Sequence, residues 1–277
     1  MQDEFDYNEF FSSLWIAVPF WIIAVVLWQL NDNIFYLFNF TYIGTAIGLG
    51  VGIYSALPRS RKSIGRKMTM LLVGGYMLGF LGLMQYENMQ IEGFFFYLLG
   101  GLFAGSVIHY FVAKIFGPLL FNRGWCGWAC WTAMVLDLLP FEDSKGRLKG
   151  WGKLRYVHFA LSVGLIVGVW YIVGYTVESQ SLNELYWLLG SNAMYYVLGI
   201  GLAFYLRDNR AFCKYICPIT VFLKAGSKFS VLKVEGDEEE CMGCGRCGDV
   251  CPMDIKVQEY VEKDSRVLSS ECILCLK

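Results

Sequence analysis

Six apolar stretches dominate the pattern of hydrophobic and polar positions, at residues 14–30, 36–57, 68–86, 94–116, 154–175 and 185–206. Each is long enough to cross a bilayer as a helix, which takes about 20 residues. The pattern therefore predicts six membrane helices joined by short polar connections. Glycines recur inside them, as at Gly44, Gly48, Gly50 and Gly52, at Gly74, Gly75, Gly79 and Gly82, and at Gly100, Gly101 and Gly105. Small residues let membrane helices approach closely, so these read as packing positions. The first stretch follows an acidic tail (Asp3, Glu4, Asp6, Glu9) and no small-residue cleavage site comes after it. It reads as a retained helix and not as a signal peptide.

Polar residues are distributed unevenly between the two sides. The second connection carries Arg59, Arg61, Lys62, Arg66 and Lys67; the fourth carries Lys145, Arg147, Lys149 and Lys153; Arg207, Arg210 and Lys214 follow the last stretch. The opposite connections hold Asp32, then Glu87 and Glu92, then Glu178 and Glu184, with no Lys or Arg. The positive-inside rule puts both termini in the cytoplasm, for a multi-pass protein of the cytoplasmic (inner) membrane in contact with lipid. Composition agrees: 56% of residues are hydrophobic, 17% are charged, and mean hydropathy is +0.45. A disordered chain, a soluble globular enzyme and a small disulfide scaffold are excluded. The net charge of −1 gives nucleic-acid binding no electrostatic support.

The ten cysteines change the picture. None precedes Cys126, and all fall on the expected cytoplasmic side, where structural disulfides are rare. Residues 241–252 read CMGCGRCGDVCP, which is Cys-x2-Cys-x2-Cys-x3-Cys-Pro on Cys241, Cys244, Cys247 and Cys251. Two-residue gaps let one loop present three thiolates to a [4Fe–4S] cube, and the fourth cysteine crosses to a second cluster. A structural zinc site, the competing reading, ordinarily uses two separate Cys-x2-Cys pairs. A second motif begins at Cys272 and Cys275, and its spacing expects two more cysteines beyond Lys277. Cys241, Cys244 and Cys247 then hold one cluster; Cys251, Cys272 and Cys275 begin the other.

Two further pairs lie at the membrane edge, in RGWCGWAC (123–130) and RAFCKYIC (210–217). They align as Arg123/Arg210, Trp125/Phe212, Cys126/Cys213, Trp128/Tyr215 and Cys130/Cys217. Each follows a pair of helices, so the chain contains an internal repeat. Cysteines four apart share a helix face. Pro218 would start a new helix and leave Cys217 at its positive end, which favours thiolate. The four sulfurs are candidates for a third metal or iron–sulfur centre, for a redox dithiol pair, or for ordinary buried cysteines. Arg123 and Arg210 read either as counter-charges to anionic thiolates or as cytoplasmic anchors.

The two Cys-x3-Cys motifs after membrane helices, together with the ferredoxin segment, resemble the NapH, NosR and CcoG type of polyferredoxin membrane protein. The resemblance covers residues 94–277. It implies electron transfer at the cytoplasmic membrane with quinone or partner redox subunits, the chain serving as an electron-transfer subunit of an oxidoreductase complex. Its alternative is a CcoG-like role in metalloenzyme assembly or metal reduction. By position, Cys126, Cys130, Cys213 and Cys217 match the membrane-edge motifs, and the six C-terminal cysteines match the ferredoxin ligands. The family motif ends in Pro, as at Pro218, but position 131 is Trp.

Only two histidines occur, His109 and His158, both within apolar stretches. They are candidates for a quinone head-group contact or, as the alternative, for packing and backbone hydrogen bonding; bis-histidine haem is not expected. The run Asp237 to Glu240 reads as a solvated linker or as a face for a basic partner. The expected fold is mainly α: a six-helix transmembrane bundle with a C-terminal cytoplasmic ferredoxin-like module for two [4Fe–4S] clusters. Its parts are a tail (1–13), the membrane domain (14–206, with the first Cys-x3-Cys loop at 123–131), the second motif and an amphipathic linker (207–235), and the ferredoxin module (236–277), incomplete at its end.

Overall fold

The computed structural model describes residues 5–58, 60–103, 105–142 and 146–276. Asp3, Glu4, Arg59 and Lys145 from the charge argument lie outside them. Five helices are long and apolar enough to cross a membrane: α1 (Tyr7–Asn31), α2 (Ile34–Ala56), α3 (Lys62–Met84), α8 (Trp151–Val173) and α9 (Leu182–Leu206). The starts of α1, α2 and α9 are set by side chains that take up otherwise orphaned amides. Asp6 accepts from the amides of Asn8 and Glu9, Asn33 from that of Phe35, and Ser181 from that of Glu184. Outward faces stay apolar, with Ile22, Val26, Leu161, Leu165 and Ile172 exposed, as suits a lipid environment.

The stretch expected as one helix over 94–116 is instead two. α4 (Ile91–Leu99) ends at Gly100, Gly101 takes a left-handed φ of 67°, and α5 (Gly105–Phe121) starts afresh. Gly101 therefore turns the chain and does not merely ease packing. Phe94 stacks on Tyr110 with ring centroids 4.6 Å apart, and Tyr97 shares a cluster with Val107, so α4 runs antiparallel to α5. The amide of Ser106 donates to Glu87 at 2.9 Å, which ties the start of α5 back to the end of α3. Residues 87–94 are buried throughout, so the irregular backbone leading into α4 is sheltered inside the protein. That is the condition under which non-helical chain is tolerated at membrane depth.

Short helices α6 (Gly124–Trp128) and α7 (Trp131–Leu136) follow α5. Helices α10 (Ala211–Tyr215) and α11 (Thr220–Ser227) follow α9. The C-terminal segment contains two short helical turns, Arg246–Asp249 and Gln258–Val261, and no strand among the described residues. It docks on the cysteine end of the bundle. Arg123 N donates to the Cys272 carbonyl (3.2 Å), Trp128 Nε1 to that of Leu274 (2.8 Å) and Tyr54 Oη to that of Leu276 (2.6 Å).

The main fastening is Glu271. Its carboxylate pairs with Arg123, with Arg155 at 3.1 Å, with Arg147 at 3.3 Å and with Lys224 at 2.6 Å. Burial alone would raise its pKa, but Arg123, Arg155 and Arg147 hold it well below the usual carboxylate range. Removing one partner from a buried ion cluster leaves uncompensated charge and costs about 3–5 kcal/mol. Gly127 is a second constraint, because a Cβ there would overlap the Ile273 carbonyl oxygen. Glu271→Gln and Gly127→Val are each expected to release the C-terminal segment. Limited proteolysis of the exposed 237–240 run and thermal unfolding should both show it, while Met242→Ala, at an 89% exposed position, leaves both unchanged.

Candidate metal centre

The two membrane-edge motifs fold alike. In the first, the Trp125 carbonyl accepts from the amides of both Ala129 and Cys130, each at 3.0 Å. In the second, the Phe212 carbonyl accepts from those of Ile216 (3.0 Å) and Cys217 (2.9 Å). Each motif is thus a five-residue helix that closes in a wide turn. The first cysteine lies inside the helix and the second lies just beyond it, so the pair does not share one helix face as expected. Trp131 occupies the first position of α7, where a missing amide hydrogen would cost little. Trp in place of Pro therefore leaves the turn intact, and the indole reaches Asn192 at 3.0 Å.

All four thiols lie within one another's electrostatic reach. Burial pushes the Cys213 thiol up to about 12 and raises those of Cys130 and Cys217 as well. α11 begins only at Thr220, so Cys217 lies three residues before the helix, and burial raises its thiol. A reactive dithiol needs a depressed pKa. Buried thiols of this kind lose their protons when a metal takes their place, which suits a metal or cluster.

Around them the charges are fixed. Arg123 and Arg210 are 0% and 2% exposed, so neither is a surface anchor. Arg210 donates to the Cys126 carbonyl at 2.8 Å and to Asp137 at 2.6 Å; Arg66 joins the same carboxylate at 2.9 Å. Burial opposes ionisation of Asp137, but Arg210 and Arg66 keep its pKa below the usual value. Lys214 bridges Asp208 (2.8 Å) and Asp254 (2.6 Å), joining the second motif to the C-terminal segment. Lys114, 2% exposed, lies 4.0 Å over the Trp125 ring beside Cys126, Cys130 and Cys217. The apolar count of the fourth stretch hid this residue. An isolated Lys in such a run was the signal for it.

The C-terminal cysteines divide by depth. Cys244 and Cys247 are exposed and Cys241 partly so, whereas Cys272 is buried and Cys251 and Cys275 are half-buried. Both Cys-x2-Cys loops use left-handed residues at matching places, Gly243 (φ 66°) and Leu274 (50°), then Gly245 (73°) and Leu276 (52°). Leucine adopts that conformation at a penalty of roughly 1–2 kcal/mol. It is held there by the Trp128 and Tyr54 hydrogen bonds to the same two carbonyls. The shared turn fits cluster-binding loops. Among the described residues no three His, Cys, Asp or Glu side chains converge as ligands of a single ion. A cube interposes its own irons and sulfides, so its thiolates stand farther apart.

The histidines occupy different surroundings. His158 Nδ1 lies 3.0 Å from the Ile216 carbonyl and its ring meets Tyr195 edge-on. His109 is half-buried against Trp125 and Trp131, and its Nε2 has no partner. The acidic run 237–240 is exposed.

Comparison with known proteins extends this geometry. Residues 233–277 match the 4Fe-4S dicluster domain family. Residues 103–141 and 193–235 both match a 4Fe-4S binding domain, which is the internal repeat seen from another direction. The uncharacterized protein MJ0749 of Methanocaldococcus jannaschii is 26% identical over 75% of this chain and 76% of its own. The electron transport protein YccM of Escherichia coli is 24% identical over 60% of this chain and 50% of its own length. For the ferredoxin-type protein NapH of Haemophilus influenzae the figures are 24%, 59% and 61%. No solved structure matches. With apolar helices, two kinds of 4Fe-4S domain and these relatives, the chain is an iron–sulfur membrane protein similar to the NapH-type polyferredoxins.

Proposed function

We propose that this protein is a membrane electron carrier, accepting electrons at its C-terminal segment and passing them to a membrane quinone or a partner redox subunit. One observation carries the reading. Cys126, Cys213 and Cys272 belong to a single buried core, against which Cys217, Cys251 and Cys275 pack. The inner ferredoxin ligands and the membrane-edge cysteines are therefore neighbours with no intervening solvent. Cys241, Cys244 and Cys247 form the outer ligand set, Cys251, Cys272 and Cys275 the inner set, and the four membrane-edge thiols a third. Iron–sulfur clusters supply one-electron chemistry when bound.

The remaining residues give that order its direction. Arg123, Arg210 and Arg66 offset the charge of thiolate-ligated centres in a dry site, where each charge acts strongly. Glu271 and Lys214 keep the inner set pressed on the membrane-edge set. Lys114, Trp125 and Trp131 line the side of the thiols that faces the bundle. The exposed acidic run 237–240 offers a basic donor protein a docking edge beside the outer set. The sidedness of basic residues supports a cytoplasmic location for all of this, with partners met at the inner face of the membrane.

Anaerobic iron and acid-labile sulfide per full-length chain test the third centre. Two cubes account for about eight of each. The wild type is expected to exceed that and to show a further EPR species on reduction. Cys213→Ser should remove only the excess and stop reduction of a quinone analogue by dithionite-reduced protein. A wild-type count of eight, with flux unchanged in the variant, overturns the reading.

A further inference from the structure

The bundle interior holds a second polar cluster, on the side of the four-cysteine site away from the C-terminal segment. Gln90 and Glu92, at the start of α4, are 0% and 3% exposed; Tyr110 on α5 and Tyr195 on α9 are equally buried. Both amide atoms of Gln90, Oε2 of Glu92 and the hydroxyls of Tyr110 and Tyr195 have no hydrogen-bond partner. Native proteins leave few such atoms, and a buried polar group inside a membrane domain marks function by default. Glu92 reaches Ser191 on α9, and its charge acts on both tyrosines, which also lie in the field of Cys130 and Cys217. From α8, His158 meets Tyr195 edge-on and Phe159 packs nearby; α11 contributes Phe222, and on α5 itself His109 lies against Tyr110.

A polar file leads outward from this cluster. α9 places Glu184, Ser191 and Tyr195 on its buried face. From Glu184 to Tyr195 the helix rises about 16 Å at 1.5 Å per residue. At the outer end Glu184 accepts from Asn88 (3.0 Å) and from Tyr175 (2.7 Å). Glu87 and Tyr97 stand beside it, and Tyr97 borders Ser179 and Gln180 of an exposed loop. Carboxyls and tyrosine hydroxyls thus recur from the exposed loop at 179–180 to the two buried tyrosines near Cys130 and Cys217.

We propose that Glu92 exchanges protons with the bundle end carrying Glu87 and Glu184, and that this proton balances each electron added at the four-cysteine site. The inference rests on the reading that these cysteines hold a redox centre. An electron placed in a dry interior adds an unscreened negative charge, and a proton taken up nearby offsets it. For each electron delivered by an external one-electron donor through the C-terminal segment, one proton leaves water at the far end. It ends as a new O–H bond on the Glu92 carboxylate, and reoxidation returns it.

The test is an EPR-monitored redox titration of the purified full chain across pH, comparing wild type, Glu92→Gln and Glu178→Gln. Glu178 is exposed at the same end of the bundle and serves as the control. The midpoint potential of the membrane-edge signal is expected to fall as pH rises in wild type and in Glu178→Gln, and to be flat in Glu92→Gln. A wild-type potential independent of pH, or an unchanged slope in Glu92→Gln, overturns the proposal. Should Glu92→Gln fail to fold, redox-difference infrared spectra of the wild type decide. A carboxylic C=O band that grows on reduction and shifts in D2O supports it, and no such band overturns it. Absence of any membrane-edge signal in wild type is a different failure, because it removes the redox centre itself and the proposal with it.

Discussion

Four cations from four separate segments meet one carboxylate. Arg123 precedes the first cysteine motif, Arg147 sits in the following connection, Arg155 opens α8, and Lys224 lies on α11; all converge on Glu271. None of the arginines could be buried alone, since an unpaired charge in the interior is prohibitively expensive. Glu271 therefore decides where both halves of the repeat stand relative to the C-terminal segment. Because Cys272 is the next residue in the chain, the same contact places the inner ligand set. Buried ion clusters contribute little net stability compared with apolar packing, but they tolerate few alternative arrangements. Here that property fixes the register of three elements that carry cysteines.

The internal repeat supplies the rest of the frame by an exchange of roles. Arg123 of the first motif reaches the C-terminal segment, whereas Arg210 of the second reaches back to Asp137 and to the Cys126 carbonyl of the first. Equivalent residues thus make inequivalent contacts: one joins the two motifs to each other and the other joins them to the ferredoxin ligands. A symmetric pair would have left no defined side for the C-terminal segment to approach. The departure of Trp131 from Pro fits the same asymmetry, since its indole secures α7 to Asn192 on α9, a contact Pro218 cannot make.

Much of this was legible in the sequence because cysteine spacing is set by cluster chemistry and hydropathy by the bilayer. Five of the six expected membrane helices, and the segments that match 4Fe-4S domains, followed from those two constraints. The fourth helix did not. Residues 94–116 are predominantly apolar, and hydropathy carries no direction, so a helix that doubles back reads the same as one that continues; only Gly100–Gly101 announced the turn. Basic residues carry a second role that a charge tally does not show. Arg66, Arg210 and Lys214 of that tally, with Arg123 and Arg155, are buried and paired with Asp137, Asp254 or Glu271. Their partners are set by tertiary packing, which no local pattern encodes. Histidine drew attention as the familiar redox side chain, while Glu92 counted only as a loop acid and Lys114 passed as a single polar position in a long apolar window.

The break in the fourth stretch and the polar interior have one physical origin. A continuous helix over 94–116 would satisfy every backbone group within itself and leave the bundle centre to be filled by apolar side chains. Folding α4 back against α5 instead inserts a helix start among buried side chains, and Gln90 and Glu92 come with it. The amides of a first turn have no partners within their own helix. Such a terminus is sustained at membrane depth only where protein surrounds it and where polar groups are wanted. The fold thus spends regular structure at a level where a buried carboxyl meets Tyr110 and Tyr195. That placement, more than the number of helices, separates this bundle from a passive anchor for a ferredoxin segment.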